Sequence, residues 1–594
     1  MTDVSLGQIL ANPEPFVQAT RLWIESNAAL LAGCAAGALT AAGVAGFGIG
    51  AVVDRVRQSA EDRRRYSGAR EARHAGLLRN TKLEYSGIPM GRIGRKRLCW
   101  VDQEPVLVTG GTRSGKGAGV IRPACLTYGG PMVMYDGGKG ELFRDTSGWR
   151  SRFSHVLNLD LTDPNGVHFN FLDEVDPANP VAGADNIARA VPRPAHADGH
   201  FEPAADRLIA AVILHVLHGE PDAKKNMAEV VRLIAQGDAG MRRIVGKAAH
   251  TIAVDRVKGL FGGSLSGAGV EDGIRYRQSV YNSALVRLSA FEDPIVARIT
   301  SRSDFRMRDL FRLSPAHRPV SLYLTTPASE DDRLRPVISL FLSLLIGAIM
   351  REQPARDGEP RSLLVIDEFA SLRLEILQTA ITRIVGCGAT MLLGAQSLNA
   401  LRQPPYGPYN QFRDNIRCHV AYAANDGTTQ QEISQSCGTV SERRLSVSRG
   451  RLAGSWGRSR TETRSEIDRP VIEPGKVRSL PDSDELVFIT GRPVIRARKI
   501  RDFKDAVLRN RLNLAPALLR GGPDGQYPDL PHPRRPSVWA GVMVDRHAPA
   551  SSRDDGGELP EPPDWADKQD VPPKQAAVKP KRKRKLAIAP EGDQ

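Results

Sequence analysis

Residues 105–117 read PVLVTGGTRSGKG, and the architecture of the whole chain follows from this stretch. Val106, Leu107 and Val108 form a short apolar run, as a buried strand requires. Gly110, Gly111, Thr112, Arg113, Ser114 and Gly115 then make a glycine-rich turn. Lys116 and Gly117 follow, and an apolar helical pattern begins. The spacing is that of a G-x-x-x-x-G-K phosphate-binding loop between a strand and a helix. Glycines allow backbone N–H groups to curl around phosphate oxygens. The helix N-terminus adds partial positive charge, and Lys116 reaches the β- and γ-phosphates. Gly117 stands where a Ser or Thr usually supplies a hydroxyl to Mg²⁺.

Working outward, Pro131 to Asp136 (PMVMYD) reads as a second buried strand ending in an acid. It leads into GGKGELF, which places Lys139 and Glu141 near the ligand edge of an open α/β sheet, or on a solvated turn. Pro123 is expected to kink the helix after the phosphate loop. Ser362 to Glu368 (SLLVIDE) is an apolar strand closed by two acids. Asp367 suits Mg²⁺, and Glu368 suits a general base that polarises the attacking water. Thr390 to Gln396 (TMLLGAQ) reads as a strand whose terminal Gln396 can sense the γ-phosphate or orient water. Arg383 and Arg417 flank these elements. Either could reach a neighbouring subunit's nucleotide in a ring, or serve in a salt bridge.

Between the two halves of this site the pattern changes. From about residue 180 to 310, segments such as FEPAADRLIAAVILHVLH carry apolar residues at helical spacing with no clear strand. His215 and His218 fall inside that pattern as packed or exposed histidines. The chain returns to sheet at PVSLYLTTP, and the apolar run around PVISLFLSLLIGAIM reads as a core helix. ELVFITG and PVIRARKI read as a closing hairpin about Gly491 and Arg492. Residues 440 to 470 read as a basic, aperiodic loop, either solvated or facing nucleic acid with Trp456 available for stacking.

Composition bounds the setting. The 594-residue chain carries a net charge of +15, which suits nucleic acid or an anionic membrane surface. Six cysteines with no C-x-x-C argue for a reducing compartment and against structural zinc or a disulfide frame. Residues 26–53 hold no charged side chain, a stretch long enough to span a membrane. Arg55, Arg57, Arg63, Arg64 and Arg65 follow, which puts the C-terminal bulk in the cytoplasm. Past about residue 520 the chain is rich in Pro, Gly and charge, ends near Lys581 to Lys585, and is expected to be disordered.

Taken together, GGTRSGKGAGVIRP, YDGGKGELF, FEPAADRLIAAVILHVL, SLYLTTPASEDDRLRP, LLVIDEFASL, GAQSLNAL and LVFITGRPVIRARKI resemble, in order, the type IV secretion coupling proteins, the TraG-type conjugal-transfer ATPases. The resemblance implies an α/β fold: a RecA-like P-loop nucleotide-binding domain (101–180 and 311–510) with an inserted all-helical domain (181–310). Around these it implies an N-terminal segment (1–25), a transmembrane helix (26–53), a basic juxtamembrane linker entering the nucleotide domain (54–100) and a basic tail (520–594). It implies ATP and Mg²⁺ as cofactors, with Lys116, Asp367, Glu368 and Gln396 as site residues and Mg²⁺ shared by Ser114, water and Asp367. It implies a homo-hexamer in the bacterial inner membrane. Its partners would be single-stranded DNA with a relaxase or relaxosome, or effector proteins, and the components of the secretion channel. Two other readings stand beside it: an ATP-binding docking platform with little turnover, and a soluble chromosome-type DNA translocase, against which residues 26–53 argue. The chain departs from the family in having one apparent span rather than two, and in two glycines after Asp136.

Overall fold

The computed structural model describes residues 66, 68–79, 87–194, 199–262, 270–311, 318–352, 361–451, 458–517 and 536–542. The expected membrane span at 26–53 lies outside the described residues, as do most of the linker and the basic run at 581–585.

Strands form where apolar β-formers run unbroken. In chain order they are β1 (Leu78–Arg79), β2 (Ile88–Ile93), β3 (Lys96–Trp100), β4 (Val106–Thr109), β5 (Met132–Tyr135), β6 (His155–Asp160) and β7 (Val320–Thr325). They continue with β8 (Ser362–Ile366), β9 (Ala389–Ala395), β10 (Cys418–Ala421), β11 (Thr439–Arg451), β12 (Arg458–Pro470), β13 (Asp484–Ile489) and β14 (Ile495–Arg498). Twelve of them make one sheet, in the order β1-β3-β2-β14-β13-β10-β4-β9-β8-β5-β7-β6. From β10 to β6 every neighbour is parallel; β13, β14, β2, β3 and β1 extend it antiparallel.

The central parallel strands are buried along their whole length because both faces are covered. Alternation then divides their side chains between two cores. Leu107, Val133, Tyr135, Leu364 and Ile366 join one core. Val106, Val108, Met132, Met134, Leu363 and Val365 join the other. The Asp331–Arg351 helix is long and apolar enough to cross a membrane, yet two-thirds of its apolar window is buried in the protein. It packs in the first core, as a core helix should.

Between β6 and β7 every described element is helical. These helices start on caps written in the sequence: Asn179 before Pro180, Asn226 before Met227, and Asp293 before Pro294. Their apolar faces belong to the same core as one face of the sheet. Buried Arg287 binds them together, donating to Glu202, to Asp206 and to the carbonyls of Ala188 and Val191.

Three expectations are corrected. Pro123 does not kink a continuing helix. Gly117–Ile121 forms a π-helical turn, and the α-helix proper begins at Arg122, so the missing N–H of Pro123 falls in a first turn where none is needed. The described residues of the 440–470 stretch are not an aperiodic loop: β11 and β12 pair over thirteen residues as a separate antiparallel ribbon, with Arg443 opposite Glu466. Apolar alternation is absent there, so the usual sequence signal of a half-buried strand is missing.

The tail is not wholly free either. Ser537 to Val542 docks on the helical segment. Trp539 is 1% exposed, donates its indole N–H to the Val175 carbonyl at 2.9 Å, and meets the His218 ring edge-on at 5.0 Å. Lys225 Nζ donates to the Trp539 and Val542 carbonyls at 2.7 and 2.6 Å, and Ser537 donates to Asp173. Truncating a buried Trp costs about 3–5 kcal/mol. Here that loss falls on a short strap whose opening is local. Trp539→Ala is expected to speed tryptic removal of residues beyond 536 at least ~10-fold while the core fragment survives, read by mass spectrometry of a digestion time course.

Candidate nucleotide site

The site is built on the C-terminal ends of β4, β9, β8 and β5, the edge where parallel α/β sheets bind ligands. The loop after β4 begins at Gly110, where a Cβ would lie 2.7 Å from Ser114 Oγ and 2.9 Å from Tyr422 Cβ. Arg113 (φ 60°) and Gly115 (φ 93°) take left-handed conformations that turn the backbone N–H groups inward. Lys116 is buried, and its Nζ donates to the Gly110 carbonyl at 2.6 Å, closing the loop on itself. Burial lowers the Lys116 pKa, while Asp367 and Glu368 pull it back up.

Lys499, which the sequence did not single out, supports the loop from behind. Its Nζ donates to the Ser114 carbonyl at 2.9 Å and lies 4.1 Å from the centre of the Tyr422 ring. Lys499 lies in the LVFITGRPVIRARKI stretch, but nothing local there shows this role, because it reaches the loop from just beyond β14, far along the chain.

The segment after β5 is ordered by its acid. The Asp136 carboxylate accepts the backbone N–H groups of Lys139, Gly140 and Leu142 at 3.0–3.2 Å. Gly138 has φ 79°, and a Cβ there would fall 2.8 Å from Asp331. This turn carries Lys139 to Asp367, with Nζ 2.8 Å from Oδ2. Lys139 is therefore not on a purely solvated turn; it binds the acid that ends β8.

Asp367 is buried, and its Oδ1 has no hydrogen-bond partner among the described residues. A Cβ at Gly394 on β9 would lie 2.6 Å from that oxygen, so glycine leaves room for it. Ser114 Oγ is likewise buried without a partner. Ser114 and Asp367 both line the same cleft, and each brings an unpaired oxygen of the kind a hard divalent cation takes. Glu368 stands in a left-handed conformation (φ 63°). Burial raises its pKa above the usual glutamate value; Lys116 and a hydrogen bond from Gln396 act against that rise.

Gly111 to Gly117, Asp136, Lys139, Asp367, Glu368 and Gln396 thus share one cleft of about 400 Å³. Arg122 lines it as well, held between Asp145 and Asp502 at 2.7 Å each. Arg417 does not join it. This residue precedes β10, whose Cys418 is level with Val106 at the start of β4, so it lies at the opposite end of the sheet, paired with Glu104 at 2.7 Å. Within its own subunit Arg417 is therefore remote from the cleft and serves in a salt bridge, one of the two roles the sequence offered it. Arg383 is exposed at the end of the Leu377–Arg383 helix, ahead of β9, and is also absent from the cleft.

A glycine-rich loop with its lysine, facing an acid pair and a glutamine across a parallel sheet, defines a P-loop nucleotide-binding protein. The chain belongs, over residues 68–520, to the family described as type IV secretory system conjugative DNA transfer. It is 30% identical over 440 residues to the conjugal transfer protein TraG of Escherichia coli, covering 69% of this chain and 68% of that one. It is 29% identical over 467 residues to the protein VirD4 of Agrobacterium fabrum, covering 75% and 66%. Among solved structures it resembles the plasmid coupling protein TrwB in complex with the ATP analogue ADPNP, with a TM-score of 0.53 and 20% identity over 73% of this chain and 92% of that one. TrwB has also been solved with ADP and Mg²⁺, at a TM-score of 0.50 and 20% identity over 68% and 86%. At this identity the structural likeness speaks for the fold.

Proposed function

We propose that this chain is a membrane-anchored ATPase that couples a DNA–relaxase substrate, or an effector protein, to a type IV secretion channel and drives its passage. The observation that carries the reading is the meeting of Lys116, Asp367, Glu368 and Gln396 in one cleft, from three separate strand ends. Family membership supports the cargo and the channel.

The backbone of Gly110 to Lys116 receives the phosphates, and Lys116 exchanges the Gly110 carbonyl for a phosphate oxygen. Asp367 and Ser114 would hold Mg²⁺, which would supply positive charge to the phosphates. Glu368 accepts the proton of the attacking water, and Gln396 fixes that carboxylate and the water beside it. The helical segment between β6 and β7 acts as the domain that moves against cargo. Subunits assemble as a hexamer anchored in the inner membrane by residues 26–53, where Arg417 or Arg383 can act on a neighbour's nucleotide.

ATP turnover by the full-length protein, with and without single-stranded DNA and against Lys116→Ala, tests this reading. DNA-stimulated turnover that needs Lys116 supports it. Tight ATP binding with no turnover in the assembled protein favours instead a docking platform, the reading to which Gly117 lends weight.

Gly117 yields a further prediction. A Cβ there would meet nothing within 4 Å, and no positive φ strains it. Gly117→Ser therefore fits, restores a hydroxyl at the metal position, and favours the helix by about 0.5 kcal/mol over glycine. The Mg²⁺ concentration giving half-maximal turnover is expected to fall about 3–10-fold, as one added hydrogen-bonding or ligand contact implies; a magnesium titration of both proteins reads it.

A further inference from the structure

Two adjoining cavities open between the helical segment and the nucleotide core. The first, about 260 Å³, is lined by Arg189, Arg193, Arg351 and Arg373 over a floor of Leu344 and Ile376. The second, about 270 Å³, shares Pro192, Arg193 and Arg373 with it, so the two make one groove.

The groove's arginines are of two kinds. Arg193 is neutralised by Asp206 at 2.8 Å, Arg335 by Asp331 and Asp332 at 2.5 and 2.6 Å, and Arg287 by Asp206 at 2.7 Å. Arg189, Arg351 and Arg373 have no ion pair or side-chain hydrogen bond among the described residues. Against these three free guanidinium groups the first cavity sets one carboxylate, Glu375.

Arg373 is also held in an uncommon conformation. It has φ 51°, and Glu368 at the other end of the single-turn helix Phe369–Leu372 has φ 63°. Left-handed conformations at non-glycine residues cost of order 1 kcal/mol or more and cluster at functional sites. Ser371 locks this turn by donating both its N–H and its hydroxyl to the Glu368 carbonyl, at 3.1 and 2.8 Å. A short ordered link therefore joins the groove to the acid of the nucleotide cleft.

We propose that this groove binds the phosphodiester backbone of single-stranded nucleic acid, with Arg189, Arg351 and Arg373 as the phosphate contacts. The proposal rests on the nucleic-acid reading of the cargo. Guanidinium forks match phosphate oxygens in pairs, and the apolar floor accepts a sugar or base face. Through the Phe369–Leu372 turn, a phosphate at Arg373 bears on the setting of Glu368, so occupancy of the groove and turnover are coupled.

The test is binding of fluorescein-labelled oligo-dT to the full-length protein by anisotropy, across a salt series. Arg189→Gln/Arg351→Gln/Arg373→Gln is expected to weaken binding at least ~10-fold and to lower the salt slope by about 2, at ~0.7 per phosphate contact on a single strand. Stimulation of turnover by the oligonucleotide should fall with it. The corresponding triple lysine variant should keep the slope, and Arg275→Gln, on an exposed helical face, should leave binding unchanged. If the triple glutamine variant does not melt cooperatively, Arg189→Gln and Arg351→Gln, both at exposed positions, are each expected to lose about 0.7 of slope. An unchanged slope in these variants overturns the groove while leaving the cargo reading intact. Displacement of the oligonucleotide by poly-glutamate as readily as by unlabelled oligo-dT also overturns it, in favour of an acidic peptide. Failure of the unaltered protein to bind oligo-dT at all overturns the nucleic-acid reading together with the groove.

Discussion

Glu368→Gln is expected to lower ATP turnover by about 10²–10⁴-fold, the range that a positioned general base contributes, while nucleotide binding stays within about 3-fold, since less than 1 kcal/mol of contact changes. Glutamine keeps the shape of the side chain and can still meet Gln396 and the γ-phosphate region. It cannot accept the proton of the attacking water. The expected split is a collapse of turnover with affinity retained, which distinguishes loss of chemistry from loss of the fold. A docking platform would be indifferent to the substitution.

The same residue sets a pH dependence. Burial, with Asp367 next to it, raises the Glu368 pKa above the ordinary glutamate value. The base works only when ionised. The kcat/KM profile of the unaltered protein should therefore fall as pH drops, at a pH above the ordinary glutamate range, and that limb should vanish in Glu368→Gln. An acidic limb that persists unchanged in the variant assigns it to another group.

Lys116→Ala should bring turnover to background and weaken nucleotide binding about 10–100-fold, the worth of 1.5–3 kcal/mol for a hydrogen bond to a charged group. Lys116 Nζ donates a hydrogen bond to the Gly110 carbonyl at 2.6 Å. The lysine is thereby held within the loop, ready to exchange one oxygen for another. Burial lowers its pKa, and the neighbouring acids act against that fall. Alanine loses the cation and leaves the buried Gly110 carbonyl without its donor, so two costs fall together. Isothermal titration with an ATP analogue separates them: a heat of binding that survives in Lys116→Ala at full affinity would show that the backbone cradle alone holds the phosphates.

Much of this site was legible along the chain. Gly110 to Lys116, Asp367, Glu368 and Gln396 could be assigned because each sits at the end of a short apolar run, and parallel strands buried on both faces leave that signature. The helical stretch between residues 180 and 310, the core helix at Asp331–Arg351 and the β13–β14 hairpin were equally open to reading, since periodicity and caps are local properties. The strand order was not. Only the folded sheet sets β9 between β4 and β8, so that Gln396 rises between the phosphate loop and the acid pair.

The same sheet decided what lies outside the site. Arg417 immediately precedes a strand parallel to β4 and therefore lies at the far edge of its own subunit's sheet. Lys139 meets Asp367, Lys499 braces Ser114, and Trp539 docks on the helical segment, each across a long stretch of chain. Sequence by itself marked the residues proposed for phosphate, metal and proton chemistry, because side-chain type and local backbone freedom are fixed residue by residue. Which of them face one another was decided by the order of the parallel strands and by the burial it imposes, properties that arise only when distant segments pair.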